Sequence, residues 1–210
     1  MGKIVKLIVP VVAVGLLAGC GNSVKVEKKS GYKGVFVDSA VAGISFSCGG
    51  VTGTTDANGV FGVCPKGESV TFSVGNVELG TVKPTEDNIF TPQDLVGVPR
   101  DTKDNEKVNL MASLLLSLDS DGDPSNGVNI TEEIVTAFTA ALPSPTSMNT
   151  LSEDAIAEAV ESTSDALPAI NLEVVPVTEA ASHLVDTVVA IDRGDIKPPV
   201  QPNTTDQSTN

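Results

Sequence analysis

The apolar residues of this chain change their period near its middle. Between residues 34 and 83 they alternate: Val35 and Val37, then Ile44, Phe46 and Cys48, then Val70, Phe72 and Val74. Strand side chains point to opposite faces in turn, so alternation marks half-buried strands. Further strand runs are Val60 to Cys64 and Val77 to Val82. Turn-forming stretches separate them, among them Gly49-Gly50, Asp56-Ala57-Asn58-Gly59, Pro65-Lys66-Gly67 and Gly75-Asn76. From residue 104 onward the apolar residues recur at helical spacing instead. Val108, Met111, Ala112, Leu115 and Leu118 form one stripe, widened by Leu110 and Leu114. The expected fold is α+β: a small antiparallel β-sandwich over residues 34–83, then a connector and a helical subdomain of about four helices over 84–192.

Helix boundaries are written into the second half. Thr91-Pro92 pairs a capping hydroxyl with a proline at the first helical position and predicts a single turn through Leu95. Thr131 precedes Glu132 and Glu133, acids placed where the helix dipole favours them. Ile134, Val135, Phe138, Ala141 and Leu142 make the inner face of that helix. Thr150-Leu151-Ser152-Glu153 fits a capping box opening a helix through about Ser162. Its inner face is Ala155, Ile156, Ala159 and Val160. Pro168 and Pro176 bracket an extended link, Thr178 caps a last helix to Asp192, and Gly194 closes it. Residues 193–210 hold little to bury and are expected to be disordered.

Composition narrows the partners. Formal charge is −14, with one histidine, six Phe, one Tyr and no Trp. Nucleic-acid phosphates and anionic lipid headgroups both demand a basic face, so neither is an expected partner for the body of the protein. Acidic surfaces favour solubility and divalent cations.

The first residues carry Lys3 and Lys6, then an apolar stretch from Leu7 to Leu17, then Ala18-Gly19-Cys20. A basic start, a short apolar run and small residues before a cut describe a secretory signal over residues 1–19. The stretch is too short for a spanning helix, which needs ~20 apolar residues. Leu17-Ala18-Gly19-Cys20 resembles the lipobox of bacterial lipoproteins. The resemblance implies cleavage before Cys20, a diacylglyceryl group on its thiol and acylation of the new amino terminus. Gly21, in place of Asp, implies the outer membrane. Residues 20–33 are polar and read as a tether. With Cys20 used, Cys48 and Cys64 are an even pair in an exported chain and read as a disulfide. A metal or redox pair is the rival, disfavoured by the missing histidine and the spacing.

Thr55, Asp56, Gly59 and Phe61 stand in a Thr-Asp-x-x-Gly-x-Phe turn. With the strand pattern around it, the turn is similar to transthyretin-like and carboxypeptidase-regulatory-like β-sandwich modules. That likeness implies a fold and no activity. The wider segment, from the strands through Leu114-Leu115-Leu116-Ser117-Leu118 to Glu179-Ala180-Ala181-Ser182-His183-Leu184, resembles a module recurring at the start of Gram-negative envelope lipoproteins and surface proteins.

Three aspartates alternate at Asp119, Asp121 and Asp123 between two helical runs. Taken as positions one, three and five, they resemble an EF-hand loop, and Asn126 and Asn129 offer further oxygens. The resemblance implies a structural Ca2+. Two departures stand out. Pro124 occupies the place of the turning glycine, and Ile130 that of the bidentate glutamate. The alternative is a solvated acidic turn. His183 lies beside Ser182 and one turn before Asp186, but neighbours on a helix point apart and no nucleophile elbow is present. These readings lead to a non-enzymatic, lipid-anchored envelope protein that binds or scaffolds an envelope partner. A calcium-dependent adhesion or glycan-binding module is the alternative, and a small hydrolase ranks last.

Overall fold

The computed structural model describes residues 31–202. Cys20 and its leader lie outside the described residues. Strands come first: β1 Gly31–Phe36, β2 Val41–Ala42, β3 Ser45–Cys48, β4 Val51–Thr54, β5 Val60–Pro65, β6 Val70–Val74, β7 Val77–Val82 and β8 Ile89–Phe90. Two helices follow, α1 Pro92–Val96 and α2 Glu106–Ser117. Then come β9 Val128–Asn129, α3 Glu132–Ala141, β10 Thr146–Ser147, α4 Glu153–Ala166 and α5 Val177–Arg193. The fold is α+β.

One sheet has the order β10-β7-β6-β3-β4 and the other β5-β1-β8. The β3–β4 and β6–β7 hairpins are antiparallel, and so is the pairing of β3 with β6 that joins them, with Phe46 opposite Phe72 and Ser47 opposite Thr71. Parallel partners complete the edges, β8 beside β1 and β10 beside β7. The second sheet therefore starts at Gly31, three residues before the expected boundary, and draws its edge from the connector.

Between the sheets lies an aromatic cluster. Phe61 is its hub, with ring centroids 5.1 Å from Phe90, 5.2 Å from Phe72, 5.5 Å from Phe46 and 6.2 Å from Tyr32. Space for these rings comes from Gly34, where a Cβ would meet Phe61 and Phe90. Cys48 and Cys64 are bonded, with their Cα atoms 5.6 Å apart. The bond runs from β3 to β5, so it ties one sheet to the other rather than two strands of one sheet. Closing a loop of this length restricts the unfolded chain by about 3 kcal/mol on the entropic model.

Helix α1 begins as its sequence predicts. Thr91 Oγ1 accepts from the Asp94 backbone N–H and the Asp94 carboxylate accepts from the Thr91 N–H. Two other starts differ from expectation. Ser152, not Thr150, caps α4, which runs on to Ala166. Helix α5 starts at Val177 after Pro176 with no side-chain cap, because proline already sets the first turn. Helix α2 is buried over most of its surface. It packs on α5, and α3 on α4, while α1 bridges α2 and β7. Sheet residues and helix residues share one apolar core, so the two halves are fused rather than linked. The 168–176 link is sewn to α2: Ser113 Oγ donates to the Val175 carbonyl at 2.6 Å, and the Val175 N–H donates to Ser117 Oγ at 2.8 Å.

The expected disorder from residue 193 does not describe residues 195–202. They carry no helix or strand, but Ile196 packs against the small cluster of Val35, Val37 and Ile89. The Gln201 amide also closes on the Lys33 backbone, accepting from its N–H at 3.0 Å and donating to its carbonyl at 2.9 Å.

Candidate functional site

The acidic loop is bound into the sandwich by its far end. Strand β9 pairs in parallel with β2, the Val128 N–H donating to the Ala40 carbonyl and the Ile130 N–H to the Ala42 carbonyl. Ile130 is buried in the core, and Gly43 passes so close that a Cβ there would collide with the Ile130 carbonyl oxygen. The twelfth position of the loop is thus a packing residue, which explains why it is not a glutamate.

Asp121 and Asp123 cap the loop's own turns. The Asp121 carboxylate accepts from the Asp123 N–H at 3.1 Å and from Asn126 Nδ2 at 3.0 Å. Those bonds hold its pKa below the ordinary value. The Asp123 carboxylate accepts from the Ser125 N–H and hydroxyl, at 3.1 and 2.5 Å. Pro124 opens a 3-10 turn through Asn126, and Gly127 turns the chain at φ 110°. Asp119 differs from both. It is buried, its Oδ1 accepts from the Asn129 N–H at 2.8 Å, and its Oδ2 has no partner. Burial, with the adjoining Asp121 carboxylate, raises its pKa. Among the described residues no three His, Cys, Asp or Glu side chains converge as a ready metal cluster. Asp119, Asp121, Asp123 and Asn126 share the loop, but each of the three carboxylates already accepts a hydrogen bond within it.

A second constellation adjoins this loop and was invisible in the sequence. After β1 the chain turns sharply through Asp38 and Ser39, bridging Val37 to Ala40. Ser39 sits at φ 57°, a left-handed conformation that costs a side-chain-bearing residue roughly 1–2 kcal/mol. Helix α5 holds it there. The Ser39 N–H donates to Thr187 Oγ1 at 3.1 Å, and Ser39 Oγ shares a 3.1 Å hydrogen bond with His183 Nε2. Asp38 is fully buried with both carboxyl oxygens unpartnered, and its Oδ1 stands 3.7 Å from the same His183 nitrogen. Burial pushes the Asp38 pKa up to about 8. Burial also lowers that of His183. At neutral pH the pair is therefore a protonated acid beside a neutral imidazole, the cheapest charge state in an apolar setting.

His183 thus pairs with Ser39, 144 residues away, and not with its neighbour Ser182. Ser39 and Asp38 both face Nε2, so no relay runs from an acid through one ring nitrogen to a hydroxyl on the other. Ser182 and Asp186 are exposed. Two open hollows flank the imidazole. One, of about 370 Å3, lies between Ser39, Asn126 and Thr187; the other, of about 270 Å3, lies between Gly122, Glu179 and Asp186. Unbalanced acids on their walls suit a cation or a hydrogen-bond donor better than an anion.

No family model, curated protein or solved structure matches this chain. Among the described residues no helix is long and apolar enough to cross a membrane.

Proposed function

We propose that this chain is a lipid-anchored envelope protein whose folded body is a non-enzymatic binding or scaffolding module. The observation that carries the reading is the cysteine accounting. Cys48 and Cys64 are consumed by a bond between the sheets, which fits an oxidising compartment. That leaves Cys20 as the remaining thiol, placed at the end of a leader-like stretch. Two or more acyl chains on that residue give stable anchoring, while one is marginal. The partner is an envelope protein that meets the acidic hollows between the loop and α5. Intact-mass analysis of protein extracted from membranes tests the anchor. The expected species begins at Cys20 and carries fatty acyl mass, and Cys20→Ser abolishes it. A chain retaining residues 1–19 in the cytosol, without acyl mass, refutes the reading.

The bare Oδ2 of Asp119 favours a second reading, a structural Ca2+ held with Asp121, Asp123 and Asn126 in a calcium-dependent surface adhesion or glycan-binding module. A cation there would supply the partner this oxygen lacks and offset its repulsion from Asp121. Extracellular sites bind at about 10⁻⁴–10⁻³ M. Ten-millimolar CaCl2 is then expected to stabilise the fold by roughly 1.5–3 kcal/mol, read as a rise in melting temperature. Asp119→Asn should remove the rise. An unchanged melting curve with and without chelator eliminates this reading.

A further inference from the structure

Among the described residues, Asp38 is the one carboxyl group with both oxygens buried and unpartnered. Helix α5 brings His183 to it, with Nε2 3.7 Å from Oδ1, and Asp186 bears on that imidazole in turn. The acidic loop meets the same turn through Ser125, Asn126 and Gly127, none of them charged. Above pH 6.5 His183 is neutral, so no cation faces the carboxyl. Losing its proton in place would bury a bare charge, which costs far more than letting water reach it. The less costly course is for the cover to move.

Helix α5 is that cover, and its grip is uneven. Ala180 and Leu184 sit in the main core. Thr187 is the last buried residue of the helix, and from Val188 to Pro202 every residue is half-buried or exposed. Two hydrogen bonds hold this end to the turn, Ser39 N–H on Thr187 Oγ1 and Ser39 Oγ with His183 Nε2. Ile191 and Ile196 add apolar contact with the cluster of Val35, Val37 and Ile89. The turn itself yields less readily. Phe36, Val37 and Val41 flank it and are buried, and Val37 bridges to Ala40 across it. Segments with few buried contacts open locally, below the cost of global unfolding. So short a helical end does not stay wound once its packing is lost.

We propose that the Asp38-Ser39 turn and α5 form a pH-sensitive latch: as pH rises the carboxyl passes its proton to solvent, and α5 lifts and frays from Thr187 onward. Lifting dissolves the hollow between Ser39, Asn126 and Thr187 and uncovers Val35 and Val37. Its consequence for a partner rests on the function proposed above, because the partner docks at that hollow; the latch itself does not.

The closed form keeps the Asp38 proton up to about pH 8, whereas an opened, hydrated carboxyl gives it up near its ordinary 3.8. Opening is therefore favoured tenfold more with each pH unit in between. His183 adds nothing above 6.5 and acts in the opposite sense below it. Hydrogen exchange of the purified protein tests this. Between pH 6.5 and 8 the amides of residues 188–193, corrected for the chemical rate, should exchange about 30-fold faster. Low urea should leave that exchange unchanged, the mark of local opening, while accelerating the α2 amides, which wait for global unfolding. Asp38→Asn should flatten the pH response. Thr187→Val removes one anchor, so exchange should be faster at both pH values with the slope kept. The proposal is overturned if Asp38→Asn keeps the parent slope, or if the 188–193 amides share the urea dependence of α2. No partner is present in this measurement, so the docking reading and the latch fail separately.

Discussion

Between pH 6.5 and 8 the folded protein is expected to lose about 2 kcal/mol of stability, and Asp38→Asn should abolish the loss. The cause is a carboxyl that stays protonated in the fold. Asp38 titrates at about 8 when buried, against 3.8 as its ordinary value. Over that interval the folded chain binds more protons than the unfolded one, so stability is greatest at low pH and falls as pH rises. Each pH unit is worth ~1.36 kcal/mol. Below 6.5 His183 acts in the opposite sense. Its pKa is lowered by burial, so the unfolded chain takes up the proton first and stability falls with acid. The two effects offset each other only between the lowered pKa of His183 and 6.5, and above 6.5 Asp38 acts alone. Urea unfolding at closely spaced pH values reads this directly. A variant with the same slope as the parent would show that Asp38 is not the titrating group. The loss is capped by the free energy of peeling α5 from the turn, since an opened turn hydrates the carboxylate.

The largest single-residue effect is expected at Phe61. It is fully buried, and its ring meets Tyr32, Phe46, Phe72 and Phe90 from both sheets. Truncating a ring in such a site costs about 3–5 kcal/mol, through lost transfer energy and the cavity left behind. In a chain of this length that is a fall of roughly 10 °C in melting temperature. Val63 stands two residues along the same strand and is 41% exposed. Val63→Ala should cost under about 1 kcal/mol. Thermal unfolding followed by circular dichroism compares the two. Equal losses would mean that the strand, and not the aromatic hub, sets the stability of the sandwich.

Why some of this was legible and some was not follows from range. The alternation of Val70, Phe72 and Val74 reports a buried face because each residue answers for itself. Thr91-Pro92 announces α1 because a cap acts within one turn. The disulfide followed from counting thiols. By contrast, β2, β9 and β10 are two residues each, too short for any period to register. Their partners lie across the chain, Val41 beside Val128 and Thr146 beside Val77. The acidic loop was legible only in part, for a related reason. Its local pattern matched a cation loop, while Ile130 was already committed to the core. The Asp38, Ser39 and His183 cluster had no local signature. Asp-Ser after a strand reads as an ordinary turn, and the histidine that meets it lies on the last helix.

The amide of Gln201 grips both the N–H and the carbonyl of Lys33. Residues 33 and 201 thus leave the body at one pole, like the two leads of a pendant. Whatever is fused beyond residue 202 emerges beside whatever precedes residue 31. A bulky reporter joined after residue 202 would therefore emerge beside the start of β1, the same end that carries the exposed Gly49-Gly50 turn, since Gly49 meets Pro65 and Pro65 pairs with Gly31. The same proximity makes the body a natural candidate for grafting, by these two leads, into a surface loop of a host protein.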